Sequence, residues 1–145
     1  MAKMLDLLQG MQRGAVPPAP IATALGFTLM AVEPGQATIA FEATERFANP
    51  MGTLHGGVLC DIADAAMSCA YASTLAEEES FTTLELKINF LRPVWKAKLR
   101  AVGKVLNAGR TIGLAVCDIL DEEDRLIAYA TSTFMTLRGD QAKGR

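Results

Sequence analysis

Asn49-Pro50-Met51-Gly52-Thr53-Leu54-His55-Gly56-Gly57-Val58-Leu59-Cys60-Asp61-Ile62-Ala63-Asp64-Ala65-Ala66-Met67-Ser68-Cys69-Ala70 is the stretch on which the fold turns. It opens as a loop, because Asn49-Pro50 and Gly52 are turn formers and Pro50 biases Asn49 away from helix. A helix is then predicted over Val58–Ala76, since nothing in that span breaks one and Ala, Leu and Met favour it. This helix is apolar on nearly every side, and Asp61 and Asp64 are the charges it carries before its C-terminal end. It is preceded by the only histidine in the chain, His55, and by two glycines whose bare backbone lets a ligand approach closely. Loop, histidine, open amides at a helix start and a carboxylate carried into a greasy element mark this stretch as the place for chemistry.

The remaining composition bounds what the chain can be. At 145 residues it is read as one domain, 1–145, long enough to bury roughly 68–70% of its unfolded surface. Half of its residues are hydrophobic and its mean hydropathy is +0.22, a surplus of apolar surface that points to a subunit interface. A net charge of -2 and a pI near 5.4 argue against a nucleic-acid partner. Cys60, Cys69 and Cys117 are odd in number and form no C-x-x-C pair, so they read as small buried apolar residues. A single histidine cannot build a multi-histidine metal site. No signal peptide and no apolar run of ~20 residues is visible, and the expected location is the cytoplasm, away from membranes.

Working outward, residues 1–12 place Met4, Leu5, Leu8 and Met11 at helical spacing. Residues 14–20 hold three prolines and read as a linker or wrap, so 1–19 precedes a core of about 20–137. Ile21–Leu25 is a short helical turn stopped by Gly26. Phe27–Val32 and Ala37–Glu42 read as strands joined by Glu33-Pro34-Gly35-Gln36, a type II turn sequence. Beyond the helix, Thr83–Leu91 alternates, with Leu84, Leu86, Ile88 and Phe90 on one side. Lys96–Leu106, Thr111–Leu120 and Arg125–Leu137 complete a predicted four-strand meander, and 138–145 reads as a frayed tail. The class is α+β: six antiparallel strands curled around one helix that must be covered on most sides. One such sheet leaves an edge open, which again predicts a dimer.

Asn49-Pro50-Met51-Gly52-Thr53-Leu54-His55-Gly56-Gly57 followed by Asp64 resembles the hotdog-fold acyl-CoA thioesterases, in particular the phenylacetic-acid-degradation (PaaI-like) group. The strand–helix–strand order carries the likeness over about residues 20–137. The resemblance implies hydrolysis of an aryl- or medium-chain acyl-CoA without metal or organic cofactor, coenzyme A entering only as part of the substrate. It also implies a homodimer with shared active sites and a dimer of dimers. Geometry reaches the shared site separately: nine residues of helix turn through about 900° and rise about 13.5 Å, so His55 and Asp64 point to opposite sides. A two-fold partner can supply the second group.

Gly56 begins the first turn, where amides lack intrahelical acceptors and the dipole is positive, so its N–H can hold the oxyanion that develops on a thioester carbonyl. Gly57 gives room. Asp64 is the general base on water, or the nucleophile of a mixed anhydride. His55 braces the loop and orients Gly56, and Asn49 positions the substrate carbonyl or the water. Ser68, one turn past Asp64, and Thr83, on the polar row of its strand, are candidates to hold the lytic water. Asp61 is expected to serve the helix dipole. Met51, Leu54, Met67 and Tyr71 are available to line an acyl pocket. Arg92, Arg110 with Thr111, and Lys87 are available to coenzyme A phosphates. A non-catalytic acyl-thioester binding module and a hotdog hydratase are the alternatives, since fold does not fix activity.

Overall fold

The computed structural model describes residues 3–145. Helix α1 spans Lys3–Gln12, so the first two residues of the predicted helix lie outside the described residues; α2 spans Pro20–Leu25. Strands β1 (Thr28–Glu33) and β2 (Gln36–Ala43) precede the long helix α3 (Gly56–Ala72). Strands β3 (Ser80–Phe90), β4 (Ala97–Ala108), β5 (Ile112–Leu120) and β6 (Leu126–Leu137) follow it. Gly26 ends α2 in the left-handed region at φ 81°, and Gly35 supplies the positive φ (79°) that closes the β1–β2 turn.

The six strands form one antiparallel sheet in the order β1-β2-β4-β5-β6-β3. The predicted four-strand meander is therefore corrected. Tight turns join β4 to β5 and β5 to β6, whereas β3 is followed by a loop containing Pro93 that crosses the end of the sheet. That loop is pinned where Leu91 and Arg92 N–H groups donate to the Ile127 carbonyl (2.9 and 3.1 Å). Strand β3 consequently lies outside β6 as a sheet edge. Its alternation is broken at Leu84, where the register against β6 slips between Thr83 and Glu85. Leu84 and Phe90 are exposed while Leu86 and Ile88 pack on the core.

The sheet curls around α3, whose Ile62, Ala63, Ala66 and Met67 are fully buried. Close approach is set by Gly103 on β4: a Cβ there would overlap the Ala66 carbonyl and come within 2.8 Å of Met67 N. At the far end of α3, Tyr71 stacks on Phe134 (centroids 4.9 Å apart) and shares a 2.7 Å hydrogen bond with Thr136 Oγ1. Met67 and Tyr71 are thus core residues, not pocket lining. The helix stops at Ala72, four residues short of expectation, because the Ser73 and Thr74 hydroxyls take carbonyls of its last turn. Ser73 also bonds to the Glu33 carbonyl and accepts from Gly35 N–H, tying the helix end to the first hairpin. The C-terminal stretch read as frayed contains a 3-10 turn, Gly139–Ala142, and Arg138 reaches the Arg110 carbonyl and the Glu79 carboxylate.

Candidate active site

The loop entering α3 is organised by its own polar groups. Asn49 Oδ1 accepts from the N–H groups of Met51 (3.0 Å) and Thr53 (3.2 Å), and its Nδ2 donates to Thr53 Oγ1 at 2.7 Å. Both ends of the amide are therefore engaged within the loop. These bonds make an Asx turn that shapes the loop, and Asn49 also lines the cavity in front of Gly56. Outside anchors are Leu54 N–H on the Val94 carbonyl (2.6 Å) and His55 N–H on the Phe47 carbonyl (2.9 Å).

His55 is the N-cap of α3. Its Nδ1 accepts from Gly57 N–H at 3.0 Å, and its carbonyl accepts from Val58 N–H at 3.0 Å. Two of the helix's orphan donors are satisfied in this way. Gly56 N–H is left with no acceptor among the described residues. Gly56 lines a cavity of about 380 Å³ together with Asn49, Leu54, Phe90 and Arg92 among others. The end of the Phe90 ring lies over Gly56, and a Cβ there would be 2.8 Å from Phe90 Cζ. Replacing His55 by alanine removes the cap and is expected to lower stability by about 1 kcal/mol. Thermal melts should show His55→Asn recovering most of that loss, because asparagine is a strong cap; equal Tm values for wild type and His55→Ala would contradict the capping role.

Asp64 lies nearly two and a half turns further on and faces another cavity, about 820 Å³, together with Asp61, Ser68 and Cys69. Burial pushes its carboxyl above the ordinary value; the hydroxyls of Ser68 and Thr83 oppose this and the nearby Asp61 adds to it. Ser68 Oγ lies 3.5 Å from Asp64 Oδ1. The structure thus brings Asp64, Ser68 and Thr83 together, from the middle of α3 and from edge strand β3. Asp61 lies beyond the first turn of a helix that begins at Gly56, so its expected role at the dipole is corrected: it shares the wall of the Asp64 cavity. Cys69, on the same wall, has its thiol pushed up to about 11, chiefly by burial and then by Asp64, and is an inert thiol at neutral pH.

The remaining candidates divide by position. Arg92 stands at the rim of the Gly56 cavity. Arg110 and Thr111 are in the β4–β5 turn, at the Tyr71 end of α3, and one chain does not bring them to Gly56. Lys87 is exposed on the edge strand. Leu54 is buried beneath the Gly56 cavity, whereas Met51 is 80% exposed and lines neither cavity. Two features escape sequence reasoning. Phe90 reaches Gly56 only because β3 runs along the sheet edge toward the start of α3. The proline-rich segment 14–20 walls the Asp64 cavity; its prolines forbid regular pairing but do not say where the chain lies.

An open helix-start amide and a desolvated carboxylate, on two faces of one helix, are parts of an acyl-transfer site. The sequence profile described as Thioesterase superfamily matches residues 51–128. The medium/long-chain acyl-CoA thioesterase YigI of Escherichia coli is 29% identical over 131 residues, covering 80% of this chain and 84% of that protein. A 1,4-dihydroxy-2-naphthoyl-CoA hydrolase of Listeria monocytogenes is 28% identical over 109 residues, with coverages of 75% and 89%. The phenylacetic acid degradation protein PaaI of Thermus thermophilus superposes with a TM-score of 0.75 at 26% identity, covering 81% of this chain and 98% of that one. The chain belongs to the Thioesterase superfamily and has its hotdog fold. It is a PaaI-like thioester hydrolase.

Proposed function

We propose that this protein is an acyl-CoA thioesterase whose active site is completed by two copies of the chain. The observation that carries this is the placement of Gly56 N–H and Asp64 on separate faces of α3, in separate cavities. The thioester carbonyl oxygen accepts from Gly56 N–H of one subunit, which stabilises the oxyanion as it forms. Asp64 of the other subunit takes a proton from water as the water oxygen attacks the carbonyl carbon, and the C–S bond then breaks to release the coenzyme A thiolate, which regains that proton. The Ser68 and Thr83 hydroxyls, both directed at Asp64, hold the water. In the nucleophilic variant Asp64 attacks directly and water then opens the mixed anhydride; a single turnover in ¹⁸O-water leaves label on Asp64 only in that case.

The edge strand β3, paired only with β6 among the described residues, and its exposed Leu84 and Phe90 support a homodimer formed there; the resemblance to the PaaI-like thioesterases adds the pairing of dimers into a tetramer. Arg92 is assigned to the coenzyme A phosphates, and Arg110 with Thr111 can contribute only from another copy. Neither metal nor organic cofactor enters this chemistry. Three free cysteines suit the cytoplasm, and no helix among the described residues is long and apolar enough to cross a membrane. Thiol release from acetyl-, octanoyl-, dodecanoyl-, benzoyl- and phenylacetyl-CoA tests the proposal. Turnover of at least one series, aliphatic or aryl, is expected. Tight binding of these esters without hydrolysis would instead establish a binding module.

A further inference from the structure

The 820 Å³ cavity beside Asp64 is built largely by chain that precedes the matched family region. Its inner wall is α3, with Asp64, Ala65 and Ser68; its outer wall is residues 14–29, from the proline-rich wrap through α2 into β1. The outer wall is held in place. Gly14 turns the chain at φ 74°, and the N–H groups of Ala15 and Val16 both donate to the Gly10 carbonyl (2.8 and 3.1 Å). Gly10 admits Val16 against α1, where a Cβ would stand 2.8 Å from Val16 Cγ2. Helix α1 is anchored in turn through buried Leu5 and Leu8, packed with Val32, Ala37, Ala70 and Ala72. Pro17, Pro18 and Pro20 stiffen what remains.

The cavity has carboxylates on one wall and a mainly aliphatic opposite wall, to which Gln12, Thr23 and Thr28 add polar groups. Asp61, Asp64 and Ser68 stand on its α3 side, while Val16, Pro17, Pro18, Ile21, Leu29 and Ile39 offer aliphatic surface. The cavity, about 820 Å³ and open on one side in the single chain, offers more room than a single aromatic ring fills. Resting on the thioesterase reading above, we propose that residues 14–29 are the acyl-selecting wall, that the acyl group they admit is an extended medium-length aliphatic chain, and that it enters the subunit supplying Asp64. One subunit then reads the acyl chain and supplies the carboxylate, while the other holds the carbonyl.

The test is kcat/KM across straight-chain esters from acetyl- to dodecanoyl-CoA, with benzoyl- and phenylacetyl-CoA alongside, on the full-length protein. Ala19→Trp and Val16→Trp narrow the cavity from its outer wall. Ala19 is exposed, so its variant does not depend on refilling a core. Wild type is expected to prefer medium chains over acetyl- and aryl-CoA. Both variants should lower the ratio of medium- to short-chain kcat/KM at least about 10-fold, chiefly through KM. Ala24→Trp, on the same helix but off the cavity, should keep the wild-type ratio. An unshifted chain-length profile in both wall variants, with native melting behaviour, overturns the wall. An aryl preference in wild type overturns the acyl class. A wild-type protein that hydrolyses no member of the series overturns the thioesterase reading itself, and this inference with it.

Discussion

Asp64→Asn is expected to lose roughly 10²–10⁴-fold in kcat, the range a positioned proton acceptor contributes, and yet to melt higher than wild type at neutral pH. The two effects share a cause. Burial raises the folded-state pKa of Asp64 above its ordinary value of 3.8. A carboxyl shifted in this direction contributes stability below its unfolded pKa, and that contribution is lost as pH rises through the folded value. The amide never ionises, so the stability advantage of Asp64→Asn should shrink as pH falls toward the ordinary carboxylate range and the wild-type group takes up its proton. The same shift places the acid limb of the wild-type kcat/KM profile above the ordinary carboxylate range, because the base must be ionised. Replacing Ser68 or Thr83 by alanine removes an interaction that favours the carboxylate, so that limb should move further up. Melting curves and pH–rate profiles of the three variants measure all of this; an Asp64→Asn enzyme with wild-type turnover would remove Asp64 from the chemistry.

Gly103→Ala is expected to be strongly destabilising for the addition of a single methyl group. The new Cβ would meet the backbone of α3 at Ala66 and Met67, not the movable end of a side chain. Gly103 is held on both sides by β-pairing to Ala37 and Cys117, so β4 cannot retreat. Overpacking of this kind costs at the upper end of ~1–3 kcal/mol, and a drop in Tm of roughly 6–12 °C follows for a chain of this size. A wild-type melting temperature for Gly103→Ala would contradict this account, since the new methyl group would then have found room between β4 and α3. A calorimetric melt decides it.

How much of this was legible in the sequence differs by residue. The opposite facing of His55 and Asp64 follows from helix periodicity alone, and the hairpin at Pro34-Gly35 follows from turn chemistry. Asn49 was visible as a loop residue, but its amide could not be known to be engaged by Thr53 and Met51 until the loop's path was fixed. The edge position of β3 was hidden because adjacency in sequence favours a meander, and only the Pro93 loop, crossing the sheet end, overrides it. The proline wrap carries no periodicity, so its place against the Asp64 cavity depends on α1 docking, a tertiary fact. Asp61 looked like a first-turn residue because α3 was expected to begin two residues later than it does.

The central claim is that one active site is assembled from the loop of one subunit and the mid-helix carboxylate of another. Mixed dimers of Asp64→Asn and Gly56→Val subunits test it most directly, each variant being first shown inactive alone and subunit exchange being followed by native mass spectrometry. A shared site predicts that mixing restores activity, about a quarter of wild type for random two-fold pairing, since half the dimers are mixed and each carries one intact site. Confirmed exchange with no recovered turnover would contradict it.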